Sequence, residues 1–225
     1  MENYYWLVFI ISVAITGIAQ ALVSSRYSKY KKVPNEIGMT GENVARNILD
    51  GNGLRDVAVV PVKGNLSDNY NPKTRTVNLS EDIFYGTTVA SMAVAAHECG
   101  HAIQHKEGYS FMKMRSALVP VVNAASTLSY FSILIGFIFG YVGMLEVGII
   151  VQCIALLFEL VTLPVEFNAS SRALVQLEGF NMFSASEVKG SKKMLSAAAM
   201  TYVAALITTL LNILRLVLML NRRRD

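Results

Sequence analysis

The sequence predicts a mainly α-helical membrane protein with about four transmembrane helices and a small α+β domain outside the bilayer. Two observations carry this prediction. Hydrophobic residues make up 53% of the 225 residues and charged residues only 16%, a balance shifted towards membrane proteins. The apolar residues are also gathered in long runs, and the stretch between the first two runs has the turns and mixed polarity of a folded domain.

Four apolar runs are each close to the roughly 20 residues that a helix needs to cross a bilayer. They cover Asn3–Ser25, Ser116–Leu145, Val147–Val165 and Met194–Leu214, and Glu159 is the one charge within them. We therefore expect a multi-pass protein of the cell membrane whose partner is the lipid bilayer. A cleaved signal peptide is the alternative for the first run, but the chain begins Met1-Glu2 and lacks a positive n-region.

Lysine and arginine residues gather on one side of these runs. They cluster at 26–32, 106–115 and 172–193, and none lies near Glu146. The positive-inside rule therefore places 26–115 and 166–193 in the cytoplasm. The arginines at 222–224 disagree, because four full spans put them outside. Either the last run does not fully cross the bilayer, or the tail is an exception to the rule.

The runs and charges together predict five segments. These are a first transmembrane helix at 1–25, a cytoplasmic domain at 26–116, a transmembrane hairpin at 117–165, a second cytoplasmic segment at 166–193, and a fourth helix with a basic tail at 194–225.

Local signals predict the elements of the cytoplasmic domain. Helices are expected at 39–49 and from about 80 to 108, and strands at 57–62 and 76–80. Thr40 is the expected N-cap of the first helix. Pro61 would confine the first strand to a sheet edge, and residues 65–72 read as a polar turn. Gly86 predicts that the second helix restarts at Thr87, and Gly108 marks its expected end.

This second helix contains His97-Glu98-Cys99-Gly100-His101, the pattern H-E-x-x-H. Residues four apart on a helix differ by about 6 Å in rise and about 40° in rotation. The imidazoles of His97 and His101 can therefore converge on one zinc ion at about 2.1 Å. Glu98 is then close enough to hold the attacking water without being a ligand. Two ordinary buried histidines are the alternative interpretation of the pair.

Gly100 lies between the two histidines, where a helix would prefer alanine by about 1 kcal/mol. This position predicts that another part of the chain approaches the helix closely. Cys99 reads as a small buried residue rather than a ligand. Neither Cys99 nor Cys153 suggests a disulfide framework.

The third metal ligand must come from elsewhere in the chain. His105 lies about 12 Å along the helix from His97, too far to share one ion, and is expected to be a supporting or surface residue. Since the chain has three histidines in all, a carboxylate is the expected ligand. Glu159 and Glu166 are the candidates, and Glu166 is preferred because it lies at the predicted cytoplasmic end of its span.

Four segments of the chain resemble the YugP-type membrane zinc metallopeptidases. They are Gly64–Pro72, Leu79–Ser80, Ala95–Gln104 and Leu163–Ser170, and the resemblance covers nearly the whole chain. The last segment also resembles the Glu-x-x-x-Asp segment of HtpX-like peptidases, where the glutamate is a zinc ligand. The resemblance implies a zincin-like domain with a gluzincin-like ligand set that includes Glu166. Ser170 stands where those peptidases have aspartate.

The sequence therefore predicts a membrane-bound zinc-dependent endopeptidase with one Zn²⁺ ion held by His97, His101 and Glu166. Glu98 is expected to act as the general base, on the cytoplasmic face, towards a peptide or membrane-protein substrate. Arg172 is a weak candidate for oxyanion stabilisation, and the strand at 76–80 for binding extended substrate.

Two other classes of protein compete with this prediction. A non-catalytic zinc-binding scaffold or regulator would bind zinc without turnover, and a channel or transporter with an accidental motif would bind none. Nucleic-acid binding is not expected, because the net charge is only +4 and no basic stripe is interleaved with aromatic residues.

Overall fold

The computed structural model describes residues 2–139, 143–179 and 183–224. Seven helices and three strands occur within these ranges, which confirms the mainly α-helical prediction. In chain order they are α1 (Glu2–Tyr30), α2 (Gly41–Gly51), β1 (Ala58–Val62), β2 (Asn69–Asn71), β3 (Thr76–Ser80), α3 (Glu81–Phe84), α4 (Val89–Lys106), α5 (Ser110–Phe139), α6 (Gly143–Gly179) and α7 (Ala185–Arg224).

Three of the described helices contain segments that are long and apolar enough to cross a membrane. These segments are Tyr4–Tyr30, Glu146–Gly179 and Ala185–Leu220. Each extends beyond the apolar run that predicted it, because the helix continues into more polar sequence. The remaining predicted span, at 116–145, overlaps α5 but lies partly outside the described residues, so a fourth crossing stays a prediction.

The chain forms two compact units. One unit comprises residues 1–20, 113–163 and 200–225, and the other comprises residues 21–112 and 164–199. The second unit contains the sheet, helices α2 to α4 and the C-terminal part of α6. The bounds of the two units come from the packing of the chain. The side of the membrane on which each segment lies stays a prediction.

The sheet of the second unit has the order β1-β3-β2, with β1 parallel and β2 antiparallel to β3. Strand β1 is therefore an edge strand, as Pro61 predicts. Strand β2 was not expected, since its sequence Asn69-Tyr70-Asn71 lies within the segment read as a polar turn. The prediction that Thr76–Ser80 offers an open edge to substrate is wrong, because β3 is paired on both sides.

The core of this unit forms between the helices and one face of the sheet. Helix α2 begins where the Thr40 side chain accepts a hydrogen bond from Asn43 N at 3.2 Å, which is the N-cap that the sequence predicts. Helices α2, α3 and α4 and strand β3 each contribute fully buried side chains to this core; they include Ile48, Leu49, Val77, Leu79, Ile83 and Met92. Burying such side chains is the main force that holds α4 in place.

Polar contacts join the helices of the first unit. Thr209 donates to the Glu159 carboxylate at 2.9 Å, and the hydroxyls of Thr16 and Thr208 lie 3.3 Å apart. Large apolar side chains cover the outside of this unit; Trp6, Ile10, Ile18, Ile138 and Ile150 are each at least 60% exposed. A surface of this kind is suited to hydrocarbon rather than to water.

Candidate metal centre

Helix α4 carries both histidines of the H-E-x-x-H motif. It begins after Thr88, whose side chain accepts a hydrogen bond from Ser91 N at 3.2 Å. It ends before Gly108, whose φ of +67° suits the glycine that follows a helix. The imidazole rings of His97 and His101 lie on one face, with centroids 4.8 Å apart. One turn of helix therefore presents two nitrogen donors to the same point.

Glu166 of helix α6 completes a group of three potential metal ligands. Its Oε2 lies 3.3 Å from His97 Nε2 and 3.7 Å from His101 Nε2. One ligand atom from each of the three residues lies within 4.8 Å of the others. Ligands of a tetrahedral zinc ion with bonds of about 2.1 Å are about 3.4 Å apart. The two distances to Glu166 Oε2 are therefore close to those between ligands of a zinc ion.

Gly100 allows helix α6 to reach this position. A Cβ atom on Gly100 would lie 2.5 Å from the backbone oxygen of Ala169, closer than any real Cβ contact. The backbone of α6 therefore lies directly against α4 between the two histidines. This is the close approach that the glycine predicts, and it brings Glu166 to the two histidines although 64 residues lie between His101 and Glu166.

Each histidine has a hydrogen-bond partner at its other ring nitrogen. His97 Nδ1 lies 3.2 Å from the Ser170 hydroxyl, and His101 Nδ1 lies 3.0 Å from Gln104 Oε1. Such partners orient a metal-binding imidazole, and a partner that can only accept also sets which nitrogen carries the proton. Both Nε2 atoms are directed at Glu166.

Glu98 lies beside this group without belonging to it. Its side chain is buried, and this burial raises the pKa of the carboxyl group, although the neighbouring His97 and His101 lower it. A carboxyl group with a raised pKa accepts a proton more readily near neutral pH than an exposed glutamate does. Glu98 is thus a buried carboxyl group next to two of the potential ligands, with a raised affinity for a proton.

His101 is affected by the charged groups around it. Burial lowers the pKa of His101, but the nearby Glu166 carboxylate and the charge of Glu98 outweigh this effect and raise it. In the metal-free protein the ring therefore keeps its proton to a higher pH than a free histidine. A metal ion has to displace that proton, so metal affinity should fall as the pH is lowered.

The other residues singled out by the sequence lie apart from the three ligand atoms. His105 Nδ1 is 2.8 Å from the Tyr70 hydroxyl, which joins α4 to β2. Cys99 is buried with its thiol against the Ala45 carbonyl. Glu159 accepts from Thr209 and is not among the three. Arg172 donates to Asn168 and pairs with Glu107.

Sequence reasoning did not assign roles to Gln104, Ser170 or Asn168. Gln104 lies three residues after His101, where a helix brings side chains together, so its spacing was a usable signal. Ser170 lies four residues after Glu166, at the position of the aspartate in HtpX-like peptidases. Asn168 carries no local signal, because its contact with Gln104 depends on how α6 packs against α4.

The comparison with known families gives this architecture a class. Residues 5–221 match a family described as "Putative neutral zinc metallopeptidase", and the chain belongs to that family. Zinc fits the residues present, because two imidazole nitrogens and one buried carboxylate oxygen, which are donor types of catalytic zinc sites, lie within 4.8 Å of one another.

A particular relative is similar over almost its whole length. The chain is 45% identical over 224 residues to the "Putative membrane protease YugP" of Bacillus subtilis (strain 168), and the match covers 97% of this chain and 99% of the relative. No solved structure gives a significant match to the chain.

Proposed function

We propose that this protein is a membrane-bound zinc-dependent endopeptidase. His97, His101 and Glu166 would hold one zinc ion, and Glu98 would serve as general base. The observation that carries the proposal is the convergence of three ligand atoms from two helices beside a buried carboxylate that is not one of them. Two histidines and one glutamate are a ligand set of catalytic zinc sites, whereas structural sites are usually closed by four protein ligands.

The chemistry divides between the metal and the protein. Zinc, when bound, lowers the pKa of a coordinated water and polarises the carbonyl of the scissile peptide. Glu98 takes the proton of the attacking water on its carboxylate. It then delivers this proton to the nitrogen of the leaving amine as the C–N bond breaks, so the products are a carboxylic acid and an amine.

The remaining residues orient the groups that react. Ser170 and Gln104 hold the two imidazoles with Nε2 towards Glu166. Gly100 allows the approach of α6 that brings Glu166 to them. The site would thus be built on two helices, which position functional side chains more precisely than loops do.

An extended peptide would bind at a strand edge. Since β3 is paired on both sides, the available edges of the described sheet are those of β1 and β2. Strand β2 is the better candidate, because its Tyr70 contacts His105 on the same helix as His97 and His101. Main-chain hydrogen bonds from such an edge bind peptides with little dependence on sequence. The substrate class would be a peptide or a segment of a membrane protein, presented at the cytoplasmic face.

The test is Glu98→Gln in detergent-purified protein loaded with zinc. The amide keeps the size of the side chain but cannot take up a proton, so we expect cleavage of an unfolded protein to fall by roughly 10²- to 10⁴-fold. Bound zinc should stay near one ion per chain. The exposed Glu42 of α2 provides a matched control, and Glu42→Gln should retain full activity.

Two results would contradict the proposal. Undiminished cleavage by Glu98→Gln would remove Glu98 from the reaction. Stoichiometric zinc in a wild-type protein that cleaves no unfolded substrate would instead favour a non-catalytic scaffold.

A further inference from the structure

We propose that Gln104 is a positioning residue that fixes the tautomer of His101, and that Arg172 sets the direction of the hydrogen bonds through which it does so. The inference rests on the proposed function, because the tautomer matters only if His101 binds a metal. It concerns three side chains that we call the Gln104 bridge: Arg172, Asn168 and Gln104.

The bridge begins at a group that can only donate. The Arg172 guanidinium carries five N–H donors and no acceptor. Its Nε donates to Asn168 Oδ1 at 2.7 Å, and its Nη2 lies 2.6 Å from Glu107 Oε2. The ion pair with Glu107 keeps the guanidinium in place. The Asn168 atom that faces Arg172 must therefore be the oxygen of the amide.

The direction of the next hydrogen bond follows from the first. Asn168 Oδ1 is also 2.9 Å from Gln104 Nε2, and an oxygen can only accept from it. The same Nε2 donates to the Val165 carbonyl oxygen at 2.8 Å. Both hydrogens of the Gln104 amide are thus used by acceptors on α6. Gln104 is fully buried, so water does not offer an alternative partner.

The last hydrogen bond reaches the metal centre. Because Gln104 Nε2 faces α6, its Oε1 faces His101 Nδ1 at 3.0 Å. An amide oxygen accepts, so His101 Nδ1 must carry the proton. The lone pair of the neutral ring is then on Nε2, the atom that lies 3.7 Å from Glu166. In the opposite tautomer, His101 Nδ1 and Gln104 Oε1 would both be acceptors and could not form a hydrogen bond. The proton on Nε2 would then point at the position proposed for the metal.

The bridge also joins the two helices that carry the ligands. Gln104 and Glu107 lie on α4 or at its end, and Val165, Asn168 and Arg172 lie on α6. A test must therefore separate tautomer control from simple packing. Gln176 offers the matched control, because it makes another hydrogen bond from α6, to Asn52 at 2.8 Å, without contacting a histidine.

The experiment compares four variants of the full chain in detergent: Gln104→Met, Asn168→Leu, Asn168→Asp and Gln176→Met. Zinc affinity is measured by competition with a chelator. The tautomer is read from ¹⁵N NMR of the histidine-labelled, metal-free protein at alkaline pH. With three histidines in the chain, the spectrum holds few signals, and a His101→Gln sample assigns the relevant one.

Gln104→Met should lower zinc affinity by roughly 10- to 100-fold, the usual effect of losing a partner of a metal ligand. It should also convert His101 from the Nδ1–H form to a mixture of tautomers. Asn168→Leu should cause a smaller loss with the same spectral change. Asn168→Asp keeps an accepting oxygen and should resemble the wild type. If Gln104→Met does not fold, the difference between the two Asn168 variants carries the same test.

The proposed function and this inference can fail separately. A wild-type protein that binds no zinc would overturn both. A wild type that binds zinc, together with a Gln104→Met variant of unchanged tautomer and affinity, would overturn the inference alone. An affinity loss in Gln176→Met equal to that in Gln104→Met would also overturn it, because packing of α6 would then explain the effect.

Discussion

The two histidines of the metal centre lie one turn apart on α4, yet helix α6 supports them differently. His97 meets the hydroxyl of Ser170, which can rotate and either donate or accept. His101 meets the amide of Gln104, whose hydrogens are both used by α6. By the proposal above, Gln104 would hold His101 in a single tautomer, whereas the Ser170 hydroxyl can pair with either tautomer of His97 and would donate or accept according to which nitrogen carries the proton. The comparison teaches that two histidines of one motif can have partners of different hydrogen-bonding capacity.

The largest effect should come from removing the group that both histidines share. Glu166→Gln replaces the buried carboxylate with a neutral amide, so zinc affinity should fall by more than the roughly 10- to 100-fold typical of supporting residues. Equilibrium dialysis against zinc measures this loss. Glu159→Gln is the matched control on the same helix, because Glu159 accepts from Thr209 and lies outside the three ligands. Equal losses in the two variants would refute the choice of Glu166.

Gly100→Ala should disturb both histidines at once, with a smaller effect on each. The added methyl group would meet the Ala169 carbonyl oxygen at 2.5 Å, which forces α6 away from α4. Overpacking of this kind costs about 1–3 kcal/mol, so thermal unfolding should begin at a lower temperature and zinc should bind more weakly. Gly51→Ala, where a Cβ meets nothing within 4 Å, should leave both properties unchanged. An unaltered melting temperature for Gly100→Ala would argue against the close helix contact.

Ser170→Ala should have the smallest effect on zinc affinity, because Ser170 contacts only His97 of the two histidines. Since the hydroxyl does not dictate the tautomer of His97, zinc affinity should fall by no more than the lower end of the roughly 10- to 100-fold range. Chelator competition, run alongside the exposed Ser171→Ala control, measures the difference. A loss larger than that of Gln104→Met would reverse the comparison between the two histidines.

Much of this architecture could be read from local sequence. The H-E-x-x-H spacing defines the face of α4, and Gly100 signals the close contact that the structure contains. Four apolar runs predict long helices, although the helices continue well beyond them. Strand β2 was not predicted, because Asn69-Tyr70-Asn71 lacks the apolar alternation of a strand. Its extended conformation is stabilised by antiparallel pairing with β3, which the local sequence does not indicate.

The contacts that α6 makes with the candidate metal centre could not be predicted from local sequence. The prediction of Glu166 as a ligand depends on the predicted topology and on the family resemblance. Sequence spacing alone does not indicate that Glu166 lies close to His97. The contact between Gln104 and Asn168 joins side chains 64 residues apart. It depends on the rotation of α6 about its own axis, which no periodic pattern in the sequence predicts.

The most direct test of the account is anomalous diffraction at the zinc edge from crystals of the zinc-loaded protein. We predict one peak at about 2.1 Å from the Nε2 atoms of His97 and His101 and from a carboxylate oxygen of Glu166. Glu98 should lie near the peak without coordinating it. A zinc ion bound through either Nδ1 atom, bound by a different acid, or absent from this position would contradict the account.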